Sequence, residues 1–149
     1  MSASKDRLRL WLRLLKATRL IEARLRERLR SEFDTTLPRF DLMAALSRHP
    51  DGLKMSALSG VLRVSNGNVT GIVDRLTVER LVERVPVPGD RRAMVVRLTP
   101  AGQAEFARQA ADHERWVDEL LAGFSADEAR RLATRLAALA EEKEAAHAH

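Results

Sequence analysis

The sequence predicts a mainly α-helical chain with one small β-wing, a winged helix-turn-helix extended by long helices at both ends. A short apolar-periodic segment, Met55 to Leu62, is followed by a three-residue break and a second helical pattern, Asn66 to Arg80. Two β-rich runs, Val82 to Val87 and Ala93 to Leu98, then flank the turn-forming sequence Pro88-Gly89-Asp90-Arg91-Arg92. Helix, break, helix and hairpin in this order are typical of a helix-turn-helix with a basic wing.

Helical patterns precede and follow this unit. Residues 6–30 repeat apolar side chains at steps of three and four, which predicts one long helix. A polar break over Ser31 to Leu37 separates it from a second helix over residues 39–48. The apolar positions of that second helix are Phe40, Met43, Ala44 and Leu46. Thr99-Pro100 predicts the start of a fifth helix, reaching Ala122, because Thr caps a helix and Pro suits its first turn. A capping-box pattern at residues 125–128 opens a sixth helix, and residues 145–149 are expected to fray.

The chain is expected to divide into two functional regions. Residues 35–100 form the predicted winged helix-turn-helix domain, and residues 1–34 together with 101–149 form a helical dimerisation region. The first, fifth and sixth helices carry more apolar surface than a small winged helix covers, so we expect them to interleave between two chains. An intramolecular bundle is the alternative.

Charge is unevenly distributed along the 149 residues, whose formal net charge is +5. Residues 1–30 carry ten Lys/Arg against three Asp/Glu, and residues 53–100 carry eight against four, whereas residues 101–149 carry six against ten. This pattern suits a polyanion-binding protein, although solvated helix surfaces would have a similar composition. The absence of cysteine, of a signal-peptide core and of any apolar run of about 18 residues leads us to expect a soluble cytoplasmic protein.

The pattern after the break predicts a helix with two different faces. Four aliphatic residues at helical spacing predict the buried face: Val69, Ile72, Val73 and Leu76. The opposite face would then carry Asn66, Gly67, Asn68, Thr70, Gly71 and Arg75, with Ser65 as the N-cap. Asparagine matches the hydrogen-bonding edge of adenine in the major groove, and threonine can set its methyl group against thymine. We therefore predict that Ser65, Asn66, Gly67, Asn68, Thr70 and Arg75 contact DNA.

Two interpretations of this segment that do not involve DNA binding remain open. Residues 65–68 could be only a polar cap on a core helix. Asn66-Gly67 could also form a hairpin turn, although apolar spacings of three and four, instead of two, argue against it.

The predicted wing supplies a second contact. Arginine at a hairpin tip can enter a narrow minor groove, where the electrostatic potential is most negative, so Arg91 and Arg92 are predicted DNA contacts. Asp90 is expected to hold Arg92 or the turn backbone. Arg84 and Arg97, near the base of the hairpin, could touch phosphate. A solvated loop charge is the alternative for Arg91.

With these residues in place, nearly the whole chain resembles the MarR family of bacterial winged-helix regulators. The most diagnostic part is the Asp90-x-Arg92 wing, followed by the strand that ends Leu98-Thr99-x-x-Gly102. The resemblance implies that Asp90 and Arg92 are the paired wing residues, that residues 65–75 belong to the recognition helix, and that the protein is a homodimer which reads a pseudo-palindromic operator as a repressor. Arg80 departs from the glycine often found there, which bears on how the recognition helix ends.

Members of this family are often released from DNA by small aromatic acids. The residues that could line such a pocket are Trp11, Leu15, Arg19, Phe40, Met43, His113 and Trp116. Plain core packing is the alternative for each of them. The sequences of residues 33–38 and 64–70 resemble a branch associated with aromatic-acid breakdown, so an aryl-CoA thioester is a second possible effector.

Other classes of function fit the sequence less well. The four histidines lack the spacing of a metal site, and no phosphate-binding loop or nucleophile elbow is present, so we expect neither an enzyme nor a cofactor. His113-Glu114 is expected to lie on a solvated helix face. The remaining competitor is a winged-helix protein-interaction module that does not bind specific DNA sequences.

Overall fold

The computed structural model describes residues 2–62 and 66–147, without the side chains of Asn66 and Arg91. Its elements follow the order α1 (Ala3–Phe33), α2 (Leu37–Ser47), α3 (Met55–Leu62), α4 (Asn66–Val78), β1 (Val82–Val87), β2 (Asp90–Leu98), α5 (Pro100–Leu120) and α6 (Ala126–His147). The predicted class, mainly helical with a two-stranded antiparallel wing, is confirmed. The chain divides into two compact units, Met1–Arg115 and Trp116–His149. The predicted break at residues 63–65, including the N-cap Ser65, lies outside the described residues.

The joint between α1 and α2 is shorter than predicted. Helix α1 continues to Phe33, whose ring lies 5.2 Å from the guanidinium carbon of Arg108, so a contact with α5 holds the last turn. Asp34 then ends α1 in the left-handed conformation, with φ 50°. Two residues later the Thr36 side chain accepts a hydrogen bond from the Arg39 amide and caps α2.

The core of the first unit lies among α2, α3, α4 and the wing. Helix α2 buries Leu42, Met43, Ala45 and Leu46. Leu58 of α3, three residues of α4, and Val82, Val96 and Leu98 of the wing complete the cluster. Ala44, predicted to be buried, is only half-buried, because the face that α2 turns to the core includes Ala45 instead.

The wing is a tight hairpin extended by one bridge. Strand β2 begins at Asp90, three residues earlier than predicted, because the turn is only Pro88-Gly89 and Val87 pairs directly with Asp90. Gly89 supplies the positive φ of 83° that this turn requires. A register shift between Pro86 and Val87 absorbs the extra residues of β2.

A short third segment joins the wing at Leu53. Its amide donates to the Val96 carbonyl over 2.9 Å, and the Val96 amide donates back over 2.8 Å. The loop before α3 is thereby fastened to the wing.

Helix α4 ends at Val78 in a Schellman motif, two residues earlier than predicted. The Leu81 amide donates to the Leu76 carbonyl over 2.9 Å, and the Arg80 amide donates to the Thr77 carbonyl over 3.0 Å. Arg80 occupies the left-handed position of this motif with φ 63°, where glycine is the usual residue. The C-cap is therefore kept although the side chain departs from the family pattern.

Thr99 and Gly102 lock the segment after α4 against the start of α5. The Thr99 hydroxyl donates to the Arg80 carbonyl over 2.7 Å and accepts from the Gly102 amide over 3.0 Å. A Cβ atom on Gly102 would lie 1.9 Å from the Leu81 carbonyl oxygen, so only glycine fits. The Leu-Thr-x-x-Gly pattern thus fixes where α4 leads into the wing.

The second unit contains α6, which opens with the predicted capping box. The Glu128 amide donates to the Ser125 hydroxyl and the Ser125 amide donates to the Glu128 carboxylate, each over 3.1 Å. Helix α5 stops at Leu120 instead of Ala122. Residues 145–147 were predicted to fray but are helical, since alanine has the highest helix propensity. No helix in the described part of the chain has an apolar stretch long enough to cross a membrane.

Candidate nucleic-acid interface

Helix α4 buries one side completely. Val69, Val73 and Leu76 are 0% exposed and Ile72 is half-buried, so the predicted aliphatic face is confirmed. This packing leaves the helix only one orientation about its axis. Asn68, Thr70, Gly71 and Arg75 are exposed, as the spacing predicts. The backbone of Asn66 and Gly67 forms the first residues of α4.

The hairpin carries two exposed ion pairs, one of which reaches α4. The Arg84 guanidinium lies 2.6 Å from the Asp74 carboxylate, which joins β1 to α4. Arg97 lies 2.8 Å from Glu83 across the hairpin, where the two residues are directly paired. Exposed pairs of this kind contribute little to stability, but the first of them holds the Arg84 guanidinium beside α4. Both arginines are predicted phosphate contacts, but their acidic partners were missed; the hairpin register would have revealed the pairing of Glu83 with Arg97.

At the wing tip, Asp90 stabilises the backbone. Its carboxylate accepts a hydrogen bond from the Arg92 amide over 3.0 Å, an interaction that the sequence analysis predicted in outline. Arg92 is exposed. Arg91 lies in β2, and its side chain is not among those described.

A long-range ion pair ties the end of α4 to α2. Arg39 at the start of α2 pairs with Glu79, directly after α4. The Arg39 Nε atom is buried, with no hydrogen-bond partner among the described residues. Sequence reasoning missed this pair, because no local pattern relates residues forty positions apart.

The aromatic residues meet on the inner side of α2. The His113 ring stacks on Phe40 with centroids 4.5 Å apart, and Phe106 lies 5.4 Å from Phe40. His113 is therefore half-buried, and the prediction that it lies on a solvated helix face is wrong. Burial lowers the pKa of His113, while the charge of Asp41 acts in the opposite direction. Asp41 is exposed as a residue, yet partial desolvation of its carboxyl raises its pKa.

The predicted effector residues are spread over different environments. Trp11 and Arg19 are exposed on α1, Leu15 is half-buried, and Phe40, Met43 and Trp116 are buried. Within the predicted effector set, the rings of Phe40 and His113 are stacked, as described above. A separate cleft of about 570 Å³ between α1 and α2 has other lining residues, including Arg26, Arg30 and Thr35. Within residues 2–62 and 66–147, no three acidic, histidine or cysteine side chains are placed to hold a metal ion.

Comparison with known proteins gives a consistent answer. A family model described as "MarR family" matches residues 33–93. The chain is 30% identical over 104 residues to the HTH-type transcriptional regulator PecS of Dickeya dadantii (strain 3937), covering 68% of this chain and 63% of PecS. The chain thus spans less than two thirds of the length of this curated relative.

Solved structures match over almost the full length. A MarR family transcriptional regulator from Silicibacter pomeroyi superimposes with a TM-score of 0.76 at 34% identity, covering 96% of this chain and 99% of that one. A mutant MarR from E. coli complexed with operator DNA matches with a TM-score of 0.73 at 26% identity, covering 93% and 99%. These relatives are transcriptional regulators and not enzymes, in agreement with the sequence analysis. The chain therefore belongs to the MarR family of winged-helix transcriptional regulators.

Proposed function

We propose that this protein is a homodimeric, DNA-binding transcriptional repressor. The observation that carries the proposal is the asymmetry of α4, whose aliphatic side is buried while Asn68, Thr70 and Arg75 face outward. A helix held in this way can place side chains that donate and accept hydrogen bonds against base edges in the major groove. In a bacterial cell the same proposal places the protein in the cytoplasm, where the DNA lies.

The wing would make the second contact. Arg92 is exposed in β2, and its amide donates a hydrogen bond to the Asp90 carboxylate. Arg84 and Arg97 lie nearer the base of the hairpin. Arginines of the hairpin can neutralise phosphates beside the major groove that α4 would contact. An arginine at the tip of the hairpin can enter the minor groove. Residues 35–100 then form the DNA-binding domain.

A second copy of the chain would supply the other half of the DNA site. Residues 1–34 and 101–149 are the proposed dimerisation region, because α1 and α6 carry large apolar side chains that the chain itself leaves uncovered. The exposed set on these two helices comprises Leu8, Leu10, Trp11, Leu12, Leu20, Leu132, Leu136 and Leu139. Two recognition helices about one helical turn apart would read a pseudo-palindromic operator.

Binding of the protein to the DNA that flanks its own gene tests the proposal. Fluorescence anisotropy with labelled duplexes should show saturable binding that weakens steeply as salt rises, since several phosphates are neutralised. Transcription in vitro from the promoter in that DNA should fall when the protein is added. Absence of saturable binding to any duplex in a randomised pool would favour the protein-interaction module instead.

Release by a small aromatic effector, an acid or its CoA thioester, is the second part of the proposal. The stacked Phe40 and His113 rings support it, because an aromatic ligand could extend or replace this stack. Titration calorimetry with benzoic acid, hydroxybenzoic acid and benzoyl-CoA should detect binding that His113→Ala weakens. If none of these compounds binds or releases DNA, the effector part fails while DNA binding stands.

A further inference from the structure

Gly71 lies in the interior of α4, where glycine is an unfavourable residue. Glycine loses more backbone freedom than alanine when a helix forms, so it destabilises a helix interior. Such a position usually has a reason within the fold, either a left-handed backbone or a neighbour that leaves no room for a Cβ atom. Gly71 has helical backbone, and a Cβ built on it would meet no described heavy atom within 4 Å beyond the helix's own backbone.

Two other glycines show what an internal reason looks like. A Cβ on Gly102 would lie 1.9 Å from the Leu81 carbonyl oxygen. Gly52 has φ 97°, and its Cβ would lie 2.8 Å from the Val96 carbonyl oxygen. Both glycines are required by contacts within the chain. No such contact involves Gly71, or the exposed helical Gly60, in the described part of the chain, so contacts within the chain explain neither of these two glycines.

The position of Gly71 on α4 distinguishes it from Gly60, which lies in α3. Gly71 follows Asn68 by three residues and precedes Arg75 by four, so the three residues share one side of the helix. Val73 and Leu76, buried on the other side, hold that side outward. At Gly71 the helix surface therefore recedes to the backbone, between two side chains able to hydrogen-bond a base.

We propose that Gly71 is a specificity-determining residue of the recognition helix, because it lets the backbone of α4 lie against the floor of the major groove. Only at that depth do Asn68 and Arg75 reach base edges. A side chain at position 71 would hold the helix away from the bases while leaving phosphate contacts in place. This inference rests on the DNA-binding function proposed above.

Gly71→Ala and the matched control Gly60→Ala test the inference. Gly60 is likewise exposed within a helix, α3, and a Cβ there would also meet no described atom within 4 Å. Each variant is compared with the wild-type protein for midpoint of thermal unfolding and for binding to two duplexes. One duplex is selected by the wild-type protein from a randomised pool, and the other is a mixed-sequence duplex of equal length.

Both variants should unfold at a higher temperature than the wild-type protein, because alanine favours the helix. Gly71→Ala should bind the selected duplex about tenfold more weakly, with little change on the mixed-sequence duplex, since phosphate contacts carry non-specific binding. Gly60→Ala should keep both affinities. Gly71→Leu should bind the selected duplex still more weakly than Gly71→Ala does.

Three results would overturn the inference. Unchanged binding of the selected duplex by Gly71→Ala would show that the helix does not need close approach at this position. Equal losses in Gly60→Ala would show that the effect is not particular to Gly71. Failure of the wild-type protein to bind any duplex would overturn the proposed function together with this inference, whereas the first two results would leave that function intact.

Discussion

Helices α4 and α6 have similar sequence patterns and opposite fates. In α4 the aliphatic residues at helical spacing, Val69, Val73 and Leu76, are 0% exposed. In α6 the corresponding leucines, Leu132, Leu136 and Leu139, are 47–49% exposed, and none of its described residues is buried. Periodicity therefore predicts that a helix has an apolar side, but not whether the partner of that side belongs to the same chain. For α6 we propose that the partner is a second copy.

The largest effect is expected from a substitution on the apolar side of α6, which should weaken dimerisation. Leu136→Asp would bury an unpaired charge in the proposed interface, so we expect dimerisation to weaken at least about a hundredfold. Sedimentation equilibrium measures the change. Thr134→Asp is the matched control, because a residue two positions away lies on the opposite side of the helix. A dimer that survives Leu136→Asp would place the interface elsewhere.

The apolar side of α4 is buried within the same chain, so truncating it should lower the stability of that chain without involving a partner. Leu76→Ala removes a fully buried side chain and should lower the free energy of unfolding by about 2–5 kcal/mol, as measured by urea denaturation. The reduction should not depend on protein concentration, whereas the reduction caused by Leu132→Ala should, because folding and association are linked there. Equal concentration dependence for the two variants would contradict the distinction between the helices.

On the exposed side of the same domain, Arg92→Ala should act on binding and not on folding. The side chain is exposed, so we expect unchanged thermal stability and about tenfold weaker binding to every duplex, whatever its sequence. Arg131→Ala on α6 removes the same charge outside the proposed DNA-binding domain, residues 35–100, so this variant should bind as the wild-type protein does. Unchanged affinity in Arg92→Ala would exclude the wing contact.

The end of α4 offers the smallest of these effects. Arg80 holds a left-handed backbone conformation at the C-cap, which is unfavourable for a residue with a side chain. Arg80→Gly should therefore raise the free energy of unfolding by about 1 kcal/mol, measured by urea denaturation. Val78→Gly serves as a control, since its backbone is helical and its side chain is exposed, so the change should destabilise the protein. A loss of stability in Arg80→Gly would mean that the arginine side chain makes a contact that outweighs its backbone conformation.

Local sequence patterns predicted most of the elements, for physical reasons that act over a few residues. The aliphatic spacing of α4, the Thr99 cap and the capping box at Ser125 depend on groups within one or two turns of each other, so the sequence alone reveals them. The early start of β2 was missed because Asp90 has low β propensity, and the tight turn at Gly89 imposes its pairing with Val87.

The candidate site was predicted in part. Its exposed residues on α4 could be predicted from the buried ones, because residues on the opposite side of a helix from its buried face point outward. The partners of its charges did not follow, because Arg39 with Glu79 and Arg84 with Asp74 meet only through tertiary packing. The stacking of His113 on Phe40 was missed for the same reason: it joins α5 to α2.

Base contacts made by the exposed side of α4 are the central feature of the proposed function. Selection from a randomised duplex pool with Asn68→Ala and with the wild-type protein tests this directly. We expect the variant to lose discrimination at one base pair in each half-site, by about 1–3 kcal/mol, while its affinity for mixed-sequence DNA stays the same. Parallel losses on selected and mixed-sequence duplexes, with an unchanged base preference, would contradict the claim.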